Sequence, residues 1–154
     1  MKIGFTGTQK GLTQLQVKRL RELLVTPSSG SELHHGDCVG ADAEVAQLAW
    51  GFCYKIVCHP PVKRSKRAFV NAHEFREPQE YLARNRSIVD ESEIVIACPR
   101  SLSEELRSGT WATIRYARNV QRPLAIVWPN GDVEFERGAY HILEGTSNGK
   151  EYQR

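Results

Sequence analysis

No apolar run in this 154-residue chain is long enough to cross a bilayer. The first residues, Met1-Lys2-Ile3-Gly4-Phe5-Thr6, read as a strand rather than a secretory signal, because no long apolar region precedes a cleavage site. A cytoplasmic location is the expectation. Charge of one sign is not in excess either: 21 Lys and Arg stand against 18 Asp and Glu, a net +3 that by itself does not imply nucleic-acid binding. The four cysteines, Cys38, Cys53, Cys58 and Cys98, form no dense disulfide framework, so reduced thiols are expected. His34, His35 and Cys38 are neighbours in sequence, as are Cys53, Cys58 and His59. Neither set has a zinc-finger spacing, and no metal or other cofactor is expected. Internal repeats, low-complexity stretches and linkers are lacking, which gives one domain over 1–144, with a polar, flexible tail over 145–154.

What is present is an alternation of strand and helix patterns. Strands are expected at Lys2–Phe5, Glu32–His35, Tyr54–Cys58, Glu93–Cys98 and Leu124–Trp128, with a further short one at Val133–Phe135. Helices are expected from Thr13 as N-cap, over Ala41–Phe52, Glu80–Glu91 and Gly109–Val120. The pattern predicts an α/β fold, a Rossmann-like three-layer sandwich around a mainly parallel sheet of about five strands, in the order 3-2-1-4-5. Strands 1 and 4 then meet at the topological switch point, where ligands bind outside the strand C-termini. The long connection over 59–78 carries Lys63, Arg64, Lys66 and Arg67, and is read either as a lid over an anionic ligand or as a solvated basic loop.

Three loops point toward that edge. Thr6-Gly7-Thr8-Gln9-Lys10-Gly11 is small and hydroxyl-rich, but lacks the Gly-Lys-Ser/Thr ending of a Walker A loop. Gly36-Asp37-Cys38-Val39-Gly40-Ala41-Asp42 carries two carboxylates. Asp37 or Asp42 could accept hydrogen bonds from a ribose or base, or Asp42 could simply cap its helix. Arg107-Ser108-Gly109-Thr110 opens a helix whose first N–H groups suit an anion, and Ser108 could equally be an ordinary N-cap. Arg84 suits bidentate phosphate recognition. Trp111 could stack on a base, pack in the core or lie in a subunit interface.

Thr6-Gly7-Thr8, His35-Gly36-Asp37, Gly40-Ala41-Asp42-Ala43, Arg84-Asn85-Arg86 and Arg107-Ser108-Gly109-Thr110-Trp111-Ala112-Thr113 together resemble the SLOG superfamily. That group includes the lonely-guy-type phosphoribohydrolases and DNA-processing protein A, and the likeness runs from Met1 to about Pro129. The resemblance implies a Rossmann-like domain with Thr6, Gly7, Thr8, Gly36, Asp37, Gly40, Ala41, Asp42, Arg84, Asn85, Arg107, Ser108, Gly109 and Thr110 as ligand-binding residues. Arg84 falls at the hydrolases' catalytic arginine, but Thr113 stands where they carry a glutamate, and a threonine is no general base at neutral pH. Glu104, Glu105 or Asp42 would have to replace it. The expectation is therefore binding of a nucleotide-like phosphorylated small molecule by a homo-oligomer. Hydrolysis of nucleoside 5′-monophosphates is the alternative. Single-stranded DNA binding is a further one, weakened by the small net charge and by the lack of an identifiable aromatic row.

Overall fold

In a computed structural model, which describes residues 1–27 and 30–144, the chain forms one seven-stranded sheet with helices on both faces. The elements in order are β1 (Lys2–Gly7), α1 (Gln14–Val25), β2 (Glu32–His35), α2 (Ala41–Gly51), β3 (Lys55–Cys58), β4 (Glu74–Phe75), α3 (Tyr81–Asp90), β5 (Ile94–Cys98), α4 (Gly109–Asn119), β6 (Leu124–Val127), β7 (Val133–Glu136) and α5 (Ala139–Glu144). The tail expected over 145–154 lies outside the described residues. The sheet order is β4-β3-β2-β1-β5-β6-β7, parallel except where β6 meets β7. The five strands read from the sequence keep their expected order. The further short strand expected at Val133–Phe135 is β7, at one edge; the corrections are an unanticipated strand, β4, at the other edge, and β1 running on through Thr6 and Gly7 instead of ending at Phe5.

The central strands are buried on both faces, as a parallel sheet covered by helices requires. In β5, Ile94, Ile96 and Cys98 face α1, α2 and α5, where they join Leu20, Leu23, Leu24, Val45 and Leu143. Val95 and Ala97 face the other way, onto Trp111, Ile114 and Ala117 of α4 and Val89 of α3. Each large apolar side chain so enclosed contributes roughly 1.5–3 kcal/mol relative to exposure.

Helix α1 starts where the sequence says it should. Thr13 accepts a hydrogen bond from Gln16 N–H, and the Gln16 side chain accepts one from Thr13 N–H, closing a capping box. Gln16 is itself fully buried. Its Nε2 donates to the carbonyls of Pro99 (2.9 Å) and Val127 (3.0 Å), tying α1 to the C-terminal ends of β5 and β6.

Candidate functional site

Strand β1 is the point at which the chain reverses direction across the sheet, with β2 on one side and β5 on the other. Gly7 pairs with Cys98 at the C-terminal edge, and Thr8 N–H donates to Cys98 O at 3.2 Å. Beyond this edge lies a cleft of about 670 Å³, within the size range of small-molecule sites. One wall is Gly7, Thr8, Gln9 and Lys10. The opposite wall is the start of α4, Arg107 to Trp111, with Arg100 and Glu105 from the segment before it. The 59–78 connection supplies Pro61, Val62, Lys63, Ser65 and Lys66, and Glu80 and Tyr81 complete the rim.

A small cavity of about 20 Å³ adjoins the cleft, lined by Thr6, Gly36, Asp42, Arg84 and Asn85, and sharing Gly7, Cys38, Tyr81, Gly109 and Thr110 with it. The expected site residues thus sort into three groups. Gly7, Thr8, Arg107, Ser108, Gly109 and Thr110 reach the cleft. Thr6, Gly36, Asp42, Arg84 and Asn85 lie beneath it. Asp37, Gly40 and Ala41 border neither space.

The last group braces the others. Gly40, at φ +90°, passes so close to the first loop that an added Cβ would sit 2.4 Å from Gln9 O. Ala41 N–H donates to Thr8 O at 3.0 Å. Asp37 is fully buried, and its oxygens accept from Arg67 Nε (2.8 Å) and Val70 N–H (3.1 Å). That carboxylate is committed to the 59–78 segment, which corrects the expectation of a ribose or base contact. Ala68 N–H also donates to Asp37 O, and Val39 N–H to Lys66 O. The basic segment is therefore pinned as a cleft wall, with Lys63 and Lys66 facing the cleft and Arg67 turned inward.

Asp42 does not cap α2. It accepts from Gly36 N–H (3.2 Å) and Cys38 N–H (3.1 Å) and so holds the β2–α2 loop. Burial pushes its carboxyl up to about 6, opposed by those N–H bonds and by Arg84. Arg84 is 2 % exposed. It donates to the carbonyls of Gly36 and of His59 (3.1 Å) and to Asn85 Oδ1 (2.8 Å), and its guanidinium lies 4.8 Å from the Tyr81 ring centre. Its Nη2 meets Cys38 Sγ, a weak acceptor, at 3.5 Å. Burial and Asp42 raise the Cys38 thiol, so it stays protonated at neutral pH.

At the start of α4, the Ser108 side chain caps Trp111 N–H at 3.3 Å. Trp111 is buried beside Trp128 in the core, so it contributes only an edge to the cleft. Thr113 is buried and donates to Gly109 O, facing its own helix. Glu104 pairs with Arg115 outside the cleft, and Glu105, in the wall, pairs with Arg100. Tyr81 was not anticipated. Its ring lies against Gly109, where any Cβ would come within 2.8 Å of it. A glycine as the first residue of the helix is the sequence signal, but it does not name the partner.

No protein-family model and no curated protein sequence matches the chain. Solved structures do. A molybdenum cofactor binding protein from the phototrophic bacterium Rippkaea orientalis aligns over 82% of this chain and 76% of its own, with TM-score 0.64 and 22% identity. DNA processing protein A from Helicobacter pylori, a single-stranded DNA binding protein, aligns over 97% and 74%, with TM-score 0.58 and 19% identity. The structural-genomics target TM1055 aligns over 80% and 71%, with TM-score 0.58 and 13% identity. What the chain shares with them is a Rossmann-like α/β fold. Among the described residues, no helix is long and apolar enough to cross a membrane.

Proposed function

We propose that the cleft binds a phosphorylated, nucleotide-like small molecule. The observation that carries this reading is the charge around the N-terminus of α4. Lys10, Lys63, Lys66, Arg100 and Arg107 face the cleft against two carboxylates, Glu80 and Glu105. The helix adds its own positive end, and partly enclosed walls weaken solvent screening. A phosphate belongs at Gly109-Thr110. The ring of Tyr81 and the apolar edge of Pro61 and Val62 offer a surface for a base. Sensing or sequestering is the activity this supports, and a homo-oligomer remains part of the proposal.

Calorimetry with inorganic phosphate, nucleoside mono- and diphosphates, the parent nucleosides and cyclic dinucleotides tests it. Saturable heat is expected from a phosphorylated member and none from its nucleoside. Equal binding of the nucleoside, or no heat from any compound with folded protein, refutes it. A short oligonucleotide in the same series tests the single-stranded DNA alternative.

One observation favours hydrolysis as a second reading. Asp42, its carboxyl held near 6 by burial, shares the small cavity with Arg84, a pairing suited to acid–base work near neutrality. Thr113, turned into its helix, offers no base. Chromatography of AMP, GMP, CMP and UMP after incubation decides the point, with base and ribose 5-phosphate expected from the wild type and lost in Asp42→Asn.

A further inference from the structure

The cleft leaves unused a cluster on the α3 side of the sheet. His34 of β2, His59 just past β3 and Glu91 at the C-terminal cap of α3 bring three donor atoms together. His34 Nδ1 and His59 Nε2 are 2.9 Å apart, and Glu91 Oε2 lies 3.5 Å and 3.4 Å from them. Both rings are buried, while Glu91 is half-exposed. The spacing matches a metal's first shell. Ligands about 2.0–2.1 Å from a tetrahedral ion stand about 3.3 Å from each other. Two of the three edges already have that length, and the third needs to open by a few tenths of an ångström.

The donors are also oriented for an ion. His34 Nε2 lies 2.9 Å from Glu32 Oε2, so it carries a proton and donates it. That tautomer leaves a lone pair on His34 Nδ1, 2.9 Å from His59 Nε2 and 3.5 Å from the Glu91 carboxylate oxygen. A cation bound there displaces the proton that His59 Nε2 otherwise donates to it. A carboxylate behind a ligating histidine is the usual support of such a site.

We propose that His34, His59 and Glu91 bind a divalent transition-metal ion, zinc by the donor set, with water completing the shell on the exposed side of Glu91. Two carboxylates, Glu32 and Glu91, adjoin the histidine pair directly. Arg76 now holds Glu91 through both oxygens, and keeps Oε1 and Glu74 when Oε2 turns to the ion. The second cluster, His35, Asp37 and Cys58, is closed by Arg67 on Asp37. The proposed ion sits one backbone carbonyl from the cleft floor, because His59 O accepts from Arg84.

The test is competition titration of zinc into chelator-treated full-length protein, with cobalt as a spectroscopic substitute. One equivalent per chain and a tetrahedral cobalt spectrum are expected. Glu91→Gln should remove high-affinity binding, and Glu32→Gln should weaken it by about 10–100-fold. Both positions reach solvent, and circular dichroism verifies that the variants fold. No uptake by folded protein, or binding that both variants leave unchanged, overturns the proposal, as does uptake that disappears in Cys53→Ser.

Discussion

Replacing Gly40 with alanine tests how the β2–α2 loop supports the cleft. Gly40 caps α2 at φ 90° and ψ −123°, a region that side chains other than glycine's enter at a cost of about 1–3 kcal/mol. The added methyl would also sit 2.4 Å from Gln9 O, 2.6 Å from Gln9 C and 2.8 Å from Thr8 O. These are backbone atoms, so the clash cannot be relieved by a rotamer change, and overpacking of this kind costs roughly 1–3 kcal/mol more. The sum, ~4 kcal/mol at the centre of the range, corresponds to a fall in Tm of roughly 8–16 °C for a domain of this size. Gly51, with nothing within 4 Å of an added Cβ, is the control. Gly51→Ala should be neutral or stabilising by up to about 1 kcal/mol. Thermal unfolding followed by circular dichroism reads both. Because Gln9 and Thr8 form a cleft wall, any ligand found by calorimetry should also bind Gly40→Ala more weakly. A Gly40→Ala Tm within about 2 °C of wild type would refute the reasoning, since the smallest strain and overpacking terms together, about 2 kcal/mol, predict at least about 4 °C.

Asp37→Asn should destabilise the protein by about 1–3 kcal/mol. Whichever way the amide turns, its NH₂ faces either Arg67 Nε or Val70 N–H, both donors. Faster hydrogen exchange confined to the 59–78 segment is the expected signature, and unchanged protection there would count against the pin. Stability should also fall as pH drops from about 6.5 toward 4. Burial pushes His35 down to about 4 and His59 down to about 3. The unfolded chain therefore takes up protons below its ordinary histidine value while the folded chain does not. Asp42 works in the opposite direction. Its folded value near 6 exceeds the unfolded 3.8, so its contribution is full below about 3.8 and is lost as pH rises through about 6. Urea unfolding at several pH values should show the histidine trend, made steeper in Asp42→Asn. A flat profile would contradict it.

Much of the scaffold was legible because its signals are local. Thr13 and Gln16 carry a capping box in four residues, and the apolar run at Ile94–Cys98 marks a doubly covered strand. Ser108-Gly109 marks a helix start. The misses depend on contacts distant in sequence. β4 is two residues, Glu74 and Phe75, too short to leave a periodicity to read. Arg84 reads as a phosphate-binding arginine, and its burial is invisible in sequence because Gly36 and His59, which turn carbonyls toward it, lie 48 and 25 residues away. Asp37 sits in a loop with every mark of a ligand contact. Its partner, Arg67, lies 30 residues downstream in a stretch whose charges look solvated.

The buried amide of Gln16 also sets how the Arg100–Arg107 segment is held. By holding Pro99 O, it anchors the upstream end of that segment to α1, while the Ser108 cap fixes the downstream end to α4. Between the two anchors, Arg100 and Glu105 are clasped by 2.8 Å and 3.0 Å hydrogen bonds. Arg115 of α4 braces the middle as well, through Glu104 (2.8 Å) and Leu106 O (3.2 Å). The segment thus presents Arg100 and Arg107 to the cleft from a frame fixed at both ends and in between, so a guest's anion would meet cations already in place.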